Sequence, residues 1–246
     1  MQSNPGMPTS DHEYGHHQLP SAEHGHSAYV QALGLITSRQ EHASNRICGR
    51  SPTTPGRWDI DRGFGHGQNR QMAIEASVRL TTEDDRAEAL RTVSEAFSGE
   101  TGDGRDEVEI VEAVWSLGTS IVASDLVADA GGEIVGHVLA SLGMLDGLAV
   151  PGIAPLAVRP DCQGKGIGTA LMTELLRRLD QQGFPLVVVL GDPGYYGRFG
   201  FQPSGPLGIH YLPVGADNPH FQVLRLGKHH AACTGNYLYS WEAPVE

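Results

Sequence analysis

The sequence is poor in cysteine and has no long apolar run. Its three cysteines, Cys48, Cys162 and Cys233, are odd in number and widely spaced, so neither a disulfide framework nor a zinc site is indicated. No segment approaches the roughly 18 consecutive apolar residues of a membrane helix, and the N-terminus lacks the charged-then-apolar layout of a signal peptide. These absences predict a soluble protein with no metal site, no membrane partner and, by default, a cytoplasmic location.

Positive charge is also scarce. Lys and Arg total 17 against 29 Asp and Glu, which gives a formal net charge of -12. Residues 1–71 contain six Arg and six Asp or Glu, so the whole negative excess falls on residues 72–246. This balance argues against nucleic acid as a partner. An acidic domain would attract a cationic amine, although solubility alone also favours surface acid.

The chain divides into a tail and a domain. Residues 1–71 are rich in Gly, Pro, Ser, Asn, Gln and His, a composition typical of a disordered tail. Seven of the twelve histidines lie there, which permits loose metal binding, but no carboxylate or cysteine completes a ligand set and a polar tail without a ligand is favoured. The predicted domain covers residues 72–246, and we hypothesise that Met72 is the true or an alternative translation start.

The most informative stretch covers residues 155–179, PLAVRPDCQGKGIGTALMTELLRRL. Its apolar start, Leu156–Val158, suits a strand, which Pro160 ends because proline cannot donate to a ladder. Three glycines alternate within Gln163–Gly168, directly before an amphipathic helix that Gly183 ends. Such a turn directs several N–H groups toward one place at the positive end of a helix. It therefore predicts an anion site.

Two better-known phosphate motifs do not fit this turn. A Walker loop requires Gly, four residues, and then Gly-Lys followed by Ser or Thr, but Arg159 stands at the first glycine and Gly166 follows the lysine. The dinucleotide fingerprint requires a third glycine where Thr169 stands, and no carboxylate ends a following strand in the expected way. The turn belongs to neither class.

The periodicity of the domain predicts an α/β fold with a mixed (α+β) sheet of about seven strands and four helices. The strands are expected at about 74–80, 126–129, 134–142, 145–158, 186–190, 221–226 and 236–241. The helices are expected up to about 97, over 107–117, after Gly168 and in a short segment capped by Asp192.

Three details of this fold are open to test. The first helix should bury Ala87, Leu90, Val93 and Phe97, which recur at helical spacing. The interruption at 151–152, Pro-Gly, predicts a bulge or bend. The glycine-led helix should connect two parallel strands, and the last two strands should form an antiparallel pair.

Two segments of the domain resemble one family. Gln163, Gly166 and Gly168 fill the acyl-coenzyme A signature of the GNAT superfamily of N-acetyltransferases, which is Gln or Arg, two residues, Gly, one residue, Gly or Ala. The segment GDPGYYGRFGF follows about 30 residues later. Taken with PLAVRPDCQGKGIG, it resembles the YhbS-like predicted-acetyltransferase branch of that superfamily.

The resemblance implies a GNAT-like fold that binds acetyl-CoA as acyl donor. The residues it places at the donor are Leu156, Ala157, Val158, Gln163, Gly164, Lys165, Gly166, Ile167, Gly168 and Thr169. Backbone N–H groups of the turn would hold the pyrophosphate, with Lys165 and Arg159 as supporting charge. A strand N–H would lie near the thioester carbonyl and stabilise its oxyanion during attack by the amine.

The resemblance also implies a catalytic tyrosine. Tyr196 stands four residues before Gly200-Phe201, at the tyrosine of the family's Y-x-x-x-G-F pattern, and would protonate the departing thiolate. Its neighbour Tyr195 is a less suitable substitute. The common family pattern has Asn seven residues before the tyrosine, where this sequence has Val189, so the contacts near the sulfur should differ.

No general base can be selected from the sequence. Glu109, Glu112, Asp146 and His137 are all candidates, and for each of them a surface or core role is the simpler interpretation. Cys162, beside the turn, is either a somewhat activated thiol or, as we favour, a passive turn residue.

The predicted function is therefore an N-acetyltransferase that moves an acetyl group from acetyl-CoA to a primary amine by direct attack. The acceptor would be a small molecule or a peptide, and the protein a monomer or homodimer. Two alternatives remain open, a non-catalytic acyl-CoA sensor and a transferase for a longer acyl group.

Overall fold

The computed structural model of the chain describes residues 76–99, 102–227 and 233–242, so the predicted tail and Met72 lie outside the described residues. These ranges contain four α-helices: α1 (Arg86–Phe97), α2 (Arg105–Leu117), α3 (Ile167–Gln181) and α4 (Pro193–Tyr196). Seven strands of four or more residues lie within the described ranges: β1 (Ser77–Leu80), β2 (Ser120–Asp129), β3 (Ile134–Leu145), β4 (Leu148–Val158), β5 (Leu186–Leu190), β6 (Phe221–Arg225) and β7 (Gly235–Leu238). The predicted mixed α/β fold is confirmed. In the same described ranges, no helix has the length and apolar character that crossing a membrane requires.

The sheet has the order β1-β2-β3-β4-β5-β6, and β7 pairs with the end of β3. The connected pairs are antiparallel except for β4 and β5, which are parallel and joined through α3, as the crossover predicted. The parallel pairing covers only Gly152–Ile153 against Val188–Val189. Because β4 continues to Val158, the two strands separate over its last five residues.

A bulge in β4 lies at this separation. Leu156 stands opposite Val138 of β3 and Ile153 stands opposite Ala140, so Ala154–Pro155 together face the one residue between. An extra residue in one strand bends it and breaks the strict alternation of faces. As a result, consecutive residues of β4 are directed toward the gap between the strands.

The predicted position of the bulge was wrong by three residues. Pro151 and Gly152 stay in register with Leu142 and Ser141 of β3. The bulge takes the second proline of the strand, Pro155, because a residue left out of the ladder does not need the N–H that proline lacks.

The helices cover both faces of the sheet. On one face, Val93 of α1 and Val111 and Val114 of α2 form a buried cluster with the sheet. On the other face, the amphipathic helix α3 buries Leu171, Met172, Leu175 and Leu179. Helix α3 is therefore held against the sheet along its length.

The buried face of α1 differs from the prediction. Ala87 is exposed and Phe97 is 36% exposed, whereas Ala89 and Thr92 are buried. A polar threonine is tolerated there because its hydroxyl donates to the Ile134 carbonyl oxygen at 2.8 Å.

The predicted pairing of the last two strands was also wrong. β6 pairs with β5, and β7 pairs with β3, where Tyr237 stands opposite Leu145. β6 is buried on both faces and needs a place within the sheet. β7 instead fits where Gly143 has no side chain, because a Cβ at Gly143 would overlap the Tyr237 hydroxyl.

Candidate active site

A cavity of about 820 Å³ lies where β4 and β5 separate. Eight of the ten predicted donor-binding residues line it: Leu156, Val158, Gln163, Gly164, Gly166, Ile167, Gly168 and Thr169. The predicted catalytic residue Tyr196 lines it as well. Segments far apart in the sequence thus meet at one place, which has the size of a small-molecule site.

The end of β4 presents unpaired backbone groups to this cavity. The Arg159 amide donates to the Val135 carbonyl oxygen at 3.0 Å, and the direction of backbone groups alternates along an antiparallel ladder. Leu156 and Val158 therefore direct their N–H and C=O groups away from β3. The Val158 carbonyl accepts a hydrogen bond from Gln163 Nε2 at 3.0 Å. The remaining groups can pair with an extended ligand, as a further strand would.

Two of the ten predicted residues do not line the cavity. Ala157 is 1% exposed and packs on the opposite face of the sheet, in the cluster with Val93 and Val111. Lys165 donates from Nζ to the Asp161 carbonyl oxygen at 2.7 Å. Side chains alternate between the two faces of a strand, and the neighbours of Ala157, Leu156 and Val158, lie on the cavity side, so Ala157 faces away from the cavity.

The glycine turn has the backbone conformation that an anion cradle needs. Gly164 and Gly166 have φ values of 72° and 86°, a region that favours glycine, and an added Cβ at either would meet open space. Gly166 is the N-cap of α3 and supplies no side-chain hydrogen bond. The N–H groups at the start of α3 are therefore available to a ligand.

The positive charge of the cavity comes from Arg198, which the sequence did not indicate, and not from the predicted Arg159. Arg159 is held by Asp161, at 2.7 Å from its Nε, and by Glu133, at 3.2 Å from Nη1. Arg198 lines the cavity, and its guanidinium lies 4.5 Å from the centre of the Tyr195 ring. Of the described residues that line the cavity, Arg198 alone is a cation. Arg198 follows Tyr196 by two residues in the sequence, and this closeness to the predicted catalytic tyrosine is the one sequence feature that could have indicated its place in the cavity.

Helix α4 forms as predicted and places the two tyrosines. Asp192 is its N-cap and accepts a hydrogen bond from the Gly194 amide at 2.9 Å, while Pro193 takes the first helical position. The rings of Tyr195 and Tyr196 meet edge to face with centroids 5.0 Å apart. Both side chains therefore point toward the cavity from one turn of helix.

The environment of Tyr196 keeps its hydroxyl protonated. Its ring packs edge to face on Phe201, 5.8 Å away, and against Gly191, where a Cβ would overlap it. Burial raises the pKa of Tyr196 above its ordinary value of 10. A phenol of this kind can donate a proton at neutral pH. Val189 is 1% exposed and packs in the core, so that position adds no polar group to the cavity.

The four candidate bases do not line the cavity. Glu109 and Glu112 are exposed on α2, and Asp146 is exposed in the turn between β3 and β4. His137 is fully buried and its Nε2 lies 2.9 Å from Asp125 Oδ1. The surface and core roles expected for these residues agree with their positions.

Cys162 lies in the cavity wall but is not an activated thiol. Its side chain is buried, and burial raises the pKa of Cys162 above its ordinary value. The passive role favoured from the sequence agrees with this environment.

A second group of residues completes the cavity at the end away from the glycine turn: Phe97, Glu107, Ile110, Tyr211, Tyr239 and Trp241. The sequence does not indicate this group. The alternate spacing of the aromatic residues at 237, 239 and 241 is compatible with one shared strand face, but no local signal connects that face to α2.

A match to a protein-family model identifies the family to which the chain belongs. The family described as Acetyltransferase (GNAT) domain matches residues 77–204, just over half of the chain and from β1 to the segment after α4. The chain belongs to this GNAT family, which confirms the predicted resemblance.

Solved structures and curated relatives agree. The GNAT family N-acetyltransferase YhbS of Escherichia coli, crystallised with CoA, has a TM-score of 0.60 and 29% identity and covers 70% of this chain and 93% of its own. A GNAT family acetyltransferase from Brucella melitensis, in complex with acetyl-CoA, has a TM-score of 0.56 and 30% identity and covers 68% and 96%. Among curated proteins, the uncharacterized N-acetyltransferase YhbS of E. coli strain K12 is 37% identical over 97 residues, 39% of this chain and 58% of that protein. The chain thus spans little more than half the length of that curated relative.

Proposed function

We propose that the protein transfers an acetyl group from acetyl-CoA to a primary amine. The observation that supports this most is the meeting of the glycine turn, the free edge of β4 and Tyr196 in one cavity of a GNAT-family chain. Related GNAT structures have been crystallised with CoA and acetyl-CoA. The size and chemistry of this cavity fit such a donor, which has an anionic end and an extended amide arm.

The residues present fit the two parts of the donor separately. The N–H groups of Gly164 to Thr169, with Arg198, suit a pyrophosphate at the positive end of α3. The backbone groups of Leu156 and Val158 suit the amides of the pantetheine arm, because they lie on an edge without a neighbouring strand. An otherwise acidic domain can thus bind a polyanion through one local positive site.

In the proposed reaction the amine nitrogen attacks the thioester carbonyl carbon and the carbon–sulfur bond breaks. A backbone N–H on the free edge of β4, such as that of Leu156, would donate to the oxyanion, an effect worth about 10²-fold or more in rate. Tyr196 would give its proton to the departing sulfur. The amine loses a proton, which restores the tyrosine directly or through water, so the products are the N-acetyl amine and free CoA.

We also propose a cytoplasmic location. Coenzyme A is a polyanion that does not cross a bilayer, so the reaction belongs to the compartment that holds the donor. The choice of acceptor depends on the other end of the cavity, since a fold alone does not define a substrate.

The decisive experiment is a CoA-release assay on the full chain with acetyl-, propionyl- and succinyl-CoA and a panel of primary amines. Amine-dependent thiol release from acetyl-CoA is the expected result. Tight CoA binding without release under any condition would instead favour the sensor. Release from the longer donors alone would favour a different acyl group, and a chain that binds no CoA would contradict all three.

A further inference from the structure

The far end of the cavity can be traced by contacts from the glycine turn. The Tyr195 hydroxyl lies against Gly168, and the Tyr195 ring meets Tyr196. Tyr239 in turn lies close to Tyr196 and to the backbone of Leu190. The ring of Tyr239 stacks on the indole of Trp241, and Trp241 packs against α2. This path runs from the glycine turn, past Tyr196, to the group of residues at the other end of the cavity.

The hydroxyl of Tyr239 forms no hydrogen bond of ordinary geometry with the described residues, although the backbone of Leu190 lies near it. The residue is 3% exposed and lines the cavity. A buried hydroxyl without a partner is costly, and natural proteins rarely keep one. Beside a ligand cavity, the simplest reason to keep such a group is that a ligand supplies the missing hydrogen bond.

The aromatic side chains around this hydroxyl form a rigid frame. The rings of Tyr239 and Trp241 stack with centroids 4.3 Å apart, and Tyr211 meets Tyr239 edge to face at 5.3 Å. The Tyr211 hydroxyl donates to the Glu242 carboxylate, which also accepts from the Tyr239 amide at 3.1 Å. The frame is therefore fixed by its own contacts, and Glu242 is already satisfied.

The charge at this end is negative. Glu107 of α2 lines the cavity, is half-buried, and forms no ion pair with any described residue. Burial raises the pKa of Glu107, the response of a carboxylate that lacks a cationic partner. Asp192, the other acid in the wall, already caps α4, and Arg198 stacks on Tyr195 at the opposite end.

We infer that this end selects a primary amine attached to an apolar, ring-sized body, and that it disfavours an acceptor with a carboxylate beside the amine. Tyr211, Tyr239 and Trp241 would contact the apolar body, the Tyr239 hydroxyl would hydrogen-bond the nitrogen, and Glu107 would favour a cation over an anion. The inference names the acceptor class and rests on the proposed function.

The test is equilibrium binding of small probes to the full chain, measured by titration calorimetry with and without saturating CoA. The probes are 2-phenylethylamine, ethylamine, which lacks the ring, and L-phenylalanine with L-phenylalaninamide, which differ in the carboxylate. We expect 2-phenylethylamine to bind about 10-fold or more tightly than ethylamine. L-Phenylalaninamide should exceed L-phenylalanine by about 10-fold.

Matched variants separate the two polar roles. Glu107→Gln should remove the preference for the amide over the free amino acid, whereas Glu109→Gln, on the exposed face of the same helix, should keep it. Tyr239→Phe should weaken the binding of 2-phenylethylamine. Tyr237→Phe should not, because the Tyr237 hydroxyl donates its hydrogen bond to the Val150 carbonyl oxygen. Thermal unfolding of each variant confirms that it is folded.

Equal affinity for 2-phenylethylamine and ethylamine would overturn the inference, as would a Glu107→Gln variant that behaves like Glu109→Gln. Titration of CoA alone tests the proposed function independently. If the protein binds no CoA but still selects among the amines, acetyl transfer is rejected and the amine pocket is supported. If it binds CoA tightly but does not select among the amines, the amine pocket is rejected and the proposed function is retained.

Discussion

The hydroxyl of Tyr195 lies against Gly168, so closely that a Cβ built on this glycine would stand 2.6 Å from Tyr195 Oη. The aromatic helix α4 thus closes over the first turn of α3. No side chain fits between them, and the N–H groups of the turn stay open to the cavity.

Substitution of Gly168 by Ala should weaken CoA binding by about 10-fold or more, because an aromatic ring cannot yield as a flexible chain end does. The double variant Gly168→Ala/Tyr195→Phe should recover part of the loss, since it removes the overlapping atom. Titration of CoA into each protein measures both effects. Gly197→Ala is the control, because an added Cβ there meets nothing within 4 Å and should leave affinity unchanged. No loss in Gly168→Ala would contradict the close approach.

Tyr196→Phe should lower kcat by about 10²-fold while the affinity for CoA stays within about 2-fold, because the ring keeps its packing and only the proton donor is lost. Steady-state assays with acetyl-CoA and an amine that the wild-type protein acetylates provide the measurement. Tyr195→Phe serves as the matched variant and should retain turnover. Equal losses in both variants would show that the helix, rather than this hydroxyl, is what turnover requires.

Cys162 should resist alkylation by iodoacetamide. Because burial raises its pKa, the thiol form persists to higher pH, and the reactive thiolate becomes abundant only above the ordinary value of 9. Labelling followed by peptide mass mapping from pH 7 to 10 should show Cys162 reacting more slowly than N-acetylcysteine at every pH. Added CoA should slow it further, since Cys162 lies in the cavity wall. Faster reaction than the free thiol at pH 7 would reject this environment.

Sequence signals of short range predicted the elements at the glycine-turn end of the cavity. The alternating glycines before α3, the cap at Asp192 and the apolar run of β5 are each complete within a few residues, and all three elements lie where the sequence placed them. The shared cavity of Gly166, Gly168 and Tyr196 follows from the crossover between β4 and β5.

Long-range packing decided what the sequence did not predict. β7 joins β3 because Tyr237 fits the space left by Gly143, a match between residues 94 positions apart. Glu107 has no distinguishing neighbours in the sequence and reaches the cavity only through the docking of α2. The bulge lies at Pro155, where β4 separates from β5, and not at Pro151, and the local sequence around the two prolines does not distinguish them.

Tyr239→Phe should increase the stability of the free protein by up to about 1 kcal/mol. The change removes a buried hydroxyl that forms no hydrogen bond of ordinary geometry with the described residues, and it keeps the ring that stacks on Trp241. The matched variant Tyr237→Phe should lose about 1 kcal/mol, because it breaks the hydrogen bond from the Tyr237 hydroxyl to the Val150 carbonyl oxygen at 3.2 Å. Urea unfolding of both variants at equal protein concentration measures the difference. If Tyr239→Phe were the less stable of the two variants, the Tyr239 hydroxyl would have a structural partner.

If Tyr239→Phe were more stable than the unaltered protein and bound the amine more weakly, the Tyr239 hydroxyl would lower stability and serve amine binding.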